Sequence, residues 1–145
     1  MSEELPTFGA PLPGAPYRPR PGAYAIVLDG RGRVALVEEQ GEWYLPGGGL
    51  EGAETPEQAL VREVHEECAC GARLLGPLGR AREFVETRAG VRYEVLGHFF
   101  RAEFVGAASA GWHAPEEARR LVSRRCHAWA IGLALAAGAR RDANG

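Results

Sequence analysis

Residues Gly48 to Cys70 read GGLEGAETPEQALVREVHEECAC, and they carry more information than the rest of the chain. A glycine turn comes first, then Glu54, then Thr55-Pro56-Glu57. A hydroxyl followed by proline and an acid is a helix opening: the hydroxyl caps, the proline pre-sets the first turn, and the acid meets the positive end of the dipole. Nothing from there to Cys68 breaks a helix. At roughly 100° per residue, Glu63, Glu66 and Glu67 share a sector of about 100°, while Leu60, Val61, Val64 and Cys68 form the adjoining apolar face.

Three carboxylates at i, i+3 and i+4 repel one another and weaken an isolated helix. A solvated acidic face with Arg62 and Arg73 as loose partners is the ordinary account of such a run. The glycines change that balance. Gly47, Gly48 and Gly49 allow close approach of backbone to a ligand, and a hard divalent cation such as Mg²⁺ or Mn²⁺ takes oxygen ligands and cancels the repulsion. The residues point to a metal site.

The same stretch resembles the Nudix box, G-x5-E-x7-R-E-U-x-E-E-x-G-U with U apolar. Gly48 is followed by five residues and Glu54, then by seven and Arg62-Glu63, Val64, and Glu66-Glu67. One position departs: Ala69 stands where the pattern has glycine, with Cys70 at the apolar place. Trp43-Tyr44-Leu45-Pro46-Gly47 is similar to the usual lead-in. The resemblance implies an α/β fold, an α/β/α sandwich with a mixed central sheet, over about residues 22 to 137. It implies Mg²⁺- or Mn²⁺-dependent hydrolysis of a nucleoside diphosphate linked to another moiety. Glu63, Glu66 and Glu67 would hold metal with the Gly47 carbonyl, and one of these acids would take a proton from water. Glu54 and Arg62 would pair to fix the Gly48 loop and orient Glu63. Alanine does not favour the left-handed cap, so Gly71 is the alternative place for the turn.

Composition agrees. A chain of 145 residues, 46% hydrophobic, is long enough for a substantial core. A net charge of −2 gives no basic footprint for duplex nucleic acid. All 17 basic residues are arginine, a fork-shaped cation suited to phosphate. Three cysteines make no disulfide framework. Cys68, Cys70, Cys126, His65 and His127 match no zinc spacing, so core packing is the better reading of them. The opening residues lack an apolar secretory segment, and no run reaches the ~20 apolar residues of a membrane span. A soluble, cytoplasmic enzyme with a small-molecule nucleotide partner and no membrane contact is expected.

Residues 1–21 hold six of the ten prolines and read as an extended or disordered arm ahead of a single domain at 22–145. Strands are predicted at Tyr24 to Leu28, Arg33 to Glu38, Trp43 to Leu45, Arg73 to Leu78, Ala81 to Thr87 and Val91 to Val105. Turns are predicted at Asp29 to Gly32 and at Ala89-Gly90. Helices are predicted at Pro115 to Val122 and Ser123 to Ala137. The arm and an apolar strand pair make a homodimer an expectation.

Substrate contacts are expected outside the acidic segment. Arg82 and Arg92 are candidates for phosphate, and Trp43, Tyr44 or Phe84 for stacking on a base. Many Nudix enzymes carry one more glutamate in the loop before a late tryptophan. Here that loop, Gly106 to Gly111 before Trp112, has no carboxylate. Either Glu103 or Glu116 substitutes, or the helix acids do the proton transfer. No marker of the NADH, ADP-ribose or dinucleoside-polyphosphate subfamilies is present, which leaves a MutT-like pyrophosphatase by elimination. The alternative is a non-catalytic nucleotide-binding sensor, against which the intact acids argue.

Overall fold

The computed structural model describes residues 5–144. Thr7–Phe8 (β1) lies at the edge of a five-stranded sheet with Arg18–Val27 (β2), Gly47–Gly49 (β5), Gly71–Glu86 (β6) and Arg92–Val105 (β7), in the order β1-β6-β7-β2-β5. Strand β2 runs parallel to β7 and antiparallel to β5, and β6 runs antiparallel to β7, so the sheet is mixed. Val34–Glu39 (β3), Glu42–Tyr44 (β4) and Gly111–His113 (β8) form a second sheet in the order β4-β3-β8. The helices are Pro56–Cys68 (α1), Pro115–Leu121 (α2) and Arg125–Asn144 (α3).

The period-2 pattern of β2 divides the core. Ala23, Ala25 and Val27 join Ala59, Leu60, Val64 and Cys68 of α1 in one buried cluster. Ile26 joins Phe99 and Ala81 against Cys126, Ala130 and Ile131 of α3 in the other. Alternate residues of a strand face opposite sides, so one sheet is covered by α1 on one face and α3 on the other. This is the α/β/α sandwich with a mixed sheet. Among the described residues no helix is long and apolar enough to cross a membrane.

Helix α1 begins as the sequence predicts. Thr55 accepts from the Gln58 amide at 3.2 Å, and Gln58 returns a bond to the Thr55 amide at 3.0 Å, a capping box. Its end differs from expectation. Ala69 itself takes the left-handed conformation, φ 57°, and its N–H bonds the His65 carbonyl, while Gly71 already starts β6. Alanine accepts the strain, of about 1–2 kcal/mol, because Cys68 and Cys70 on either side are both buried in the core.

Three further predictions are corrected. Strand β2 starts at Arg18, six residues before Tyr24, because Arg18 to Ala23 pair in register with Tyr93 to His98 of β7. The two strands predicted between 73 and 87 are one strand with register shifts at Leu74/Gly76 and Pro77/Gly79. Proline cannot donate to a ladder, and the irregularity lets the strand continue past Pro77. The glycines at 47–49 are strand rather than loop, paired with Tyr24, Ala23 and Gly22.

Ahead of β2 the chain is extended over the β6 edge. Arg82 N–H donates to the Pro6 carbonyl at 2.8 Å, and the Tyr17 ring packs edge-on to Phe84.

His127 is fully buried; its Nδ1 accepts from the Leu45 amide at 3.2 Å, and its ring lies 4.4 Å from that of Tyr24. Burial first, and the nearby Arg124 charge second, push its pKa down to about 3. An unfolded imidazole takes up a proton near pH 6.5, whereas the folded one stays neutral until about pH 3. Unfolding therefore binds a proton in that window, and stability is lost as pH falls, by on the order of 1.4 kcal/mol per pH unit. Denaturant melts from pH 7 to pH 4 should show this slope, and His127→Gln should flatten it. An equal slope in both proteins would refute the assignment.

Candidate active site

Helix α1 aims its acids at the Gly47-Gly48 peptide. The Gly47 amide donates to Glu67 Oε1 at 2.8 Å. A β-carbon on Gly48 would stand 2.6 Å from the Glu63 carboxyl carbon, so the carboxylate occupies the space that a side chain would fill. A β-carbon on Gly47, φ +141°, would lie 2.1 Å from the Ala23 carbonyl oxygen. Gly47 is thus required by contact with the sheet backbone, whereas a side chain at Gly48 would displace the Glu63 carboxylate.

Arg62 organises the rest. Its Nε bonds Glu54 Oε2 at 2.7 Å and its Nη2 bonds Glu54 Oε1 at 2.9 Å, a two-pronged pair. Nη2 also donates to the Gly49 carbonyl at 3.0 Å, and Nη1 to Glu63 Oε1 at 3.0 Å. Glu66, half exposed, is 3.3 Å from the same Nη1. One guanidinium therefore ties the Gly49 backbone, Glu54 and two helix acids together. The Arg62 hydrogen bond holds Glu54 below its usual range. Burial raises Glu63, against the pull of Arg62.

Glu67 stands apart from that clamp. Burial pushes its pKa up to about 7, and the negative charges of Glu63, Glu39 and Glu66 add to the rise while the Gly47 N–H opposes it. Glu39, at the end of β3, is the carboxylate outside the helix whose charge acts on Glu67, and sequence reasoning missed it. It lines the same cavity as Glu67, although only the fold brings residues 39 and 67 together. The two substitutes considered from sequence lie elsewhere. Glu103 pairs with Arg73, and Glu116 is exposed on α2 near Arg119.

The cavity, ≈ 440 Å³, opens on the α3 side of the large sheet, with Gly47, Gly48 and Glu67 in its wall and Val85 and Val95 in its apolar part. Tyr44 lines it; Trp43 does not, packing edge-on to His113 at 4.9 Å. Arg82, Phe84 and Arg92 are not brought to it either. Register pairs Val85 with Tyr93 on the cavity face, and Arg82, Phe84 and Arg92, at odd spacing from them, fall on the opposite face. Arg82 lies 3.7 Å from Glu94, Arg92 lies 2.9 Å from Glu86, and Phe84 meets Tyr17. Sequence alternation finds both faces of this strand pair but cannot say which one borders the cavity.

This geometry has a counterpart among known proteins. The family model described as NUDIX domain matches residues 18–137. The chain belongs to the Nudix family. Several solved structures superpose over most of the chain. The solution structure of the E. coli ORF135 protein is 24% identical, with a TM-score of 0.67 over 91% of this chain and 98% of that one. A Nudix hydrolase from Nitrosomonas europaea is 21% identical, with a TM-score of 0.69 over 83% and 90%. A protein named as an ADP-ribose pyrophosphatase, from Streptococcus suis, is 18% identical, with a TM-score of 0.62 over 83% and 92%. At these identities the likeness is one of fold. The match beginning at residue 18 coincides with the start of β2.

Nudix hydrolases generally use divalent metal ions. Among the described residues no three His, Cys, Asp or Glu side chains already form a finished metal cluster. The donor set nevertheless fits a hard cation. Its side-chain donors are all carboxylate oxygens, Glu63 is seated where Gly48 lacks a β-carbon, and the acids raise one another's proton affinity.

Proposed function

We propose that this Nudix hydrolase is a pyrophosphohydrolase that cleaves a nucleoside diphosphate linked to another moiety, using Mg²⁺ or Mn²⁺. The observation that carries the proposal is the seating of Glu63 and Glu67 against the Gly47-Gly48 peptide at the wall of a nucleotide-sized cavity. Glu63, Glu66, Glu67 and the Gly47 carbonyl would hold the metal. When bound, it supplies charge neutralisation on the phosphate oxygens and a more acidic water.

The chain's own residues do the positioning. Arg62 and Glu54 lock the strand that carries Gly47 and Gly48 to α1, so the backbone and the carboxylates keep one relative geometry. Glu67, bonded to the Gly47 amide, presents its second oxygen as a proton acceptor within the cavity wall. Glu39 is placed to share that role from β3, in place of the carboxylate absent between Gly106 and Gly111. Tyr44, Val85 and Val95 give the remainder of the substrate an aromatic and apolar wall. The same reading has a small-molecule nucleotide as the partner of a cytoplasmic enzyme.

The test is release of pyrophosphate or phosphate from a panel of nucleoside triphosphates, and of nucleoside monophosphate and sugar phosphate from nucleoside diphosphate sugars and ADP-ribose, with Mg²⁺ or Mn²⁺. Glu63→Gln and Glu67→Gln should each lose on the order of 100-fold or more in kcat/KM. Full metal-dependent activity in both variants would sink the assignment. Tight binding of one nucleotide with no turnover would make the chain a binding module instead.

A further inference from the structure

Away from the acidic helix, three arginines line the cavity, of which Arg88 lies 4.0 Å from Glu42. Arg20, on β2, lies over the Tyr93 ring at 5.0 Å; Arg124, just before α3, lies over the Tyr44 ring at 5.6 Å. Neither has a carboxylate partner among the described residues, whereas Arg62, Arg82 and Arg92 all do. A guanidinium stacked on a ring is held by one face and keeps its in-plane N–H fork free. That fork matches phosphate oxygens two at a time.

Arg20 and Arg124 both line the same cavity as Tyr24 and Glu67. Burial pushes the Tyr24 hydroxyl up to about 12, and the positive fields of Arg20 and Arg124 both work against that rise, while Glu67 adds to it. Tyr93 and Tyr44 each have a guanidinium on a ring face, which weakens the case for a base stacked there and strengthens the case for an anion.

We propose that Arg20 and Arg124 form a second anion subsite, which holds a phosphoryl group of the substrate beyond those seated at the acidic helix. The substrate class it selects is a nucleotide with a chain of three or more phosphoryl groups, over a diphosphate joined to a neutral sugar. This rests on the hydrolase reading only for where the other phosphoryl groups sit.

Calorimetry with inorganic tripolyphosphate in EDTA tests the subsite without catalysis. Arg20→Met and Arg124→Met should each weaken binding by ~10-fold or more. Arg20→Lys and Arg124→Lys, which keep the charge but lose the fork, should fall between. Arg120→Met, which removes an exposed guanidinium of α2, should match the wild type. Far-UV circular dichroism of each variant checks the fold. In turnover, KM for a nucleoside triphosphate should rise relative to KM for a nucleoside diphosphate sugar. Absent tripolyphosphate binding to the wild type, unchanged binding in both methionine variants, or a parallel rise of the two KM values would overturn the proposal. Loss of tripolyphosphate binding in the variants, with no nucleotide hydrolysed by the wild type, would sink the hydrolase reading and leave the subsite standing.

Discussion

Gly47→Ala is expected to cost on the order of 3–5 kcal/mol of stability, the range of a severe backbone or core lesion. The added β-carbon would stand 2.1 Å from the Ala23 carbonyl oxygen and 2.7 Å from the Tyr24 α-carbon, both backbone atoms of β2. Neither can swing aside as a long side chain would, so β5 must leave β2 or the sheet must open. A conformational penalty alone is smaller. Gly52 also has positive φ, +53°, but a β-carbon there meets nothing within 4 Å. Gly52→Ala should cost only about 1–2 kcal/mol. Denaturant midpoints of the two variants separate the causes. Equal losses would show that backbone conformation, and not contact with β2, makes Gly47 necessary.

Arg62→Met should lower kcat/KM by ~10- to 100-fold, the usual effect of removing a group that orients metal-binding residues. The substitution keeps an unbranched, shorter apolar stem and removes the donors to Glu54, Glu63 and the Gly49 carbonyl at once. Melting temperature should fall as well, because Glu54 and Glu63 then face each other's neighbourhood without a counter-charge. The double variant Arg62→Met with Glu54→Gln separates the two effects. Removing the orphaned carboxylate should restore part of the melting temperature without restoring activity. Recovery of activity in the double variant would show that charge balance, and not the orientation of Glu63, is what Arg62 supplies.

The helix and its acids were legible from sequence because every determinant there is local. Thr55, Pro56 and Gln58 start α1 through bonds within four residues of one another, and the spacing of Glu63, Glu66 and Glu67 follows from helix geometry alone. The Glu54–Arg62 pair is nearly as local and came with the family pattern. Ala69 shows where local rules stop. Its intrinsic preference disfavours the left-handed cap, yet the burial of Cys68 and Cys70 on either side outweighs that preference.

The cavity contacts were not legible, for a different physical reason. Arg82, Arg92 and Phe84 are spaced as a strand face, but period 2 only says that two faces exist. Which face meets the cavity depends on where α3 packs and how β6 registers against β7. Trp43 was a plausible stacking residue by type and instead packs on His113. Glu39, Arg20 and Arg124 come from three elements spread over a hundred residues, and nothing local marks any of them as neighbours of Glu67.

By itself, then, the stretch from Gly48 to Cys70 determined the family and the acidic helix, since those depend on residues a turn or two apart. The tertiary structure alone decided which carboxylate outside the helix joins Glu67, and which arginines and tyrosines wall the cavity. It also decided what a side chain at Gly47 or Gly48 would meet: the Ala23 backbone on a neighbouring strand, and the Glu63 carboxylate on the helix. Contacts of that kind are made by packing, and packing is not a property of any one segment.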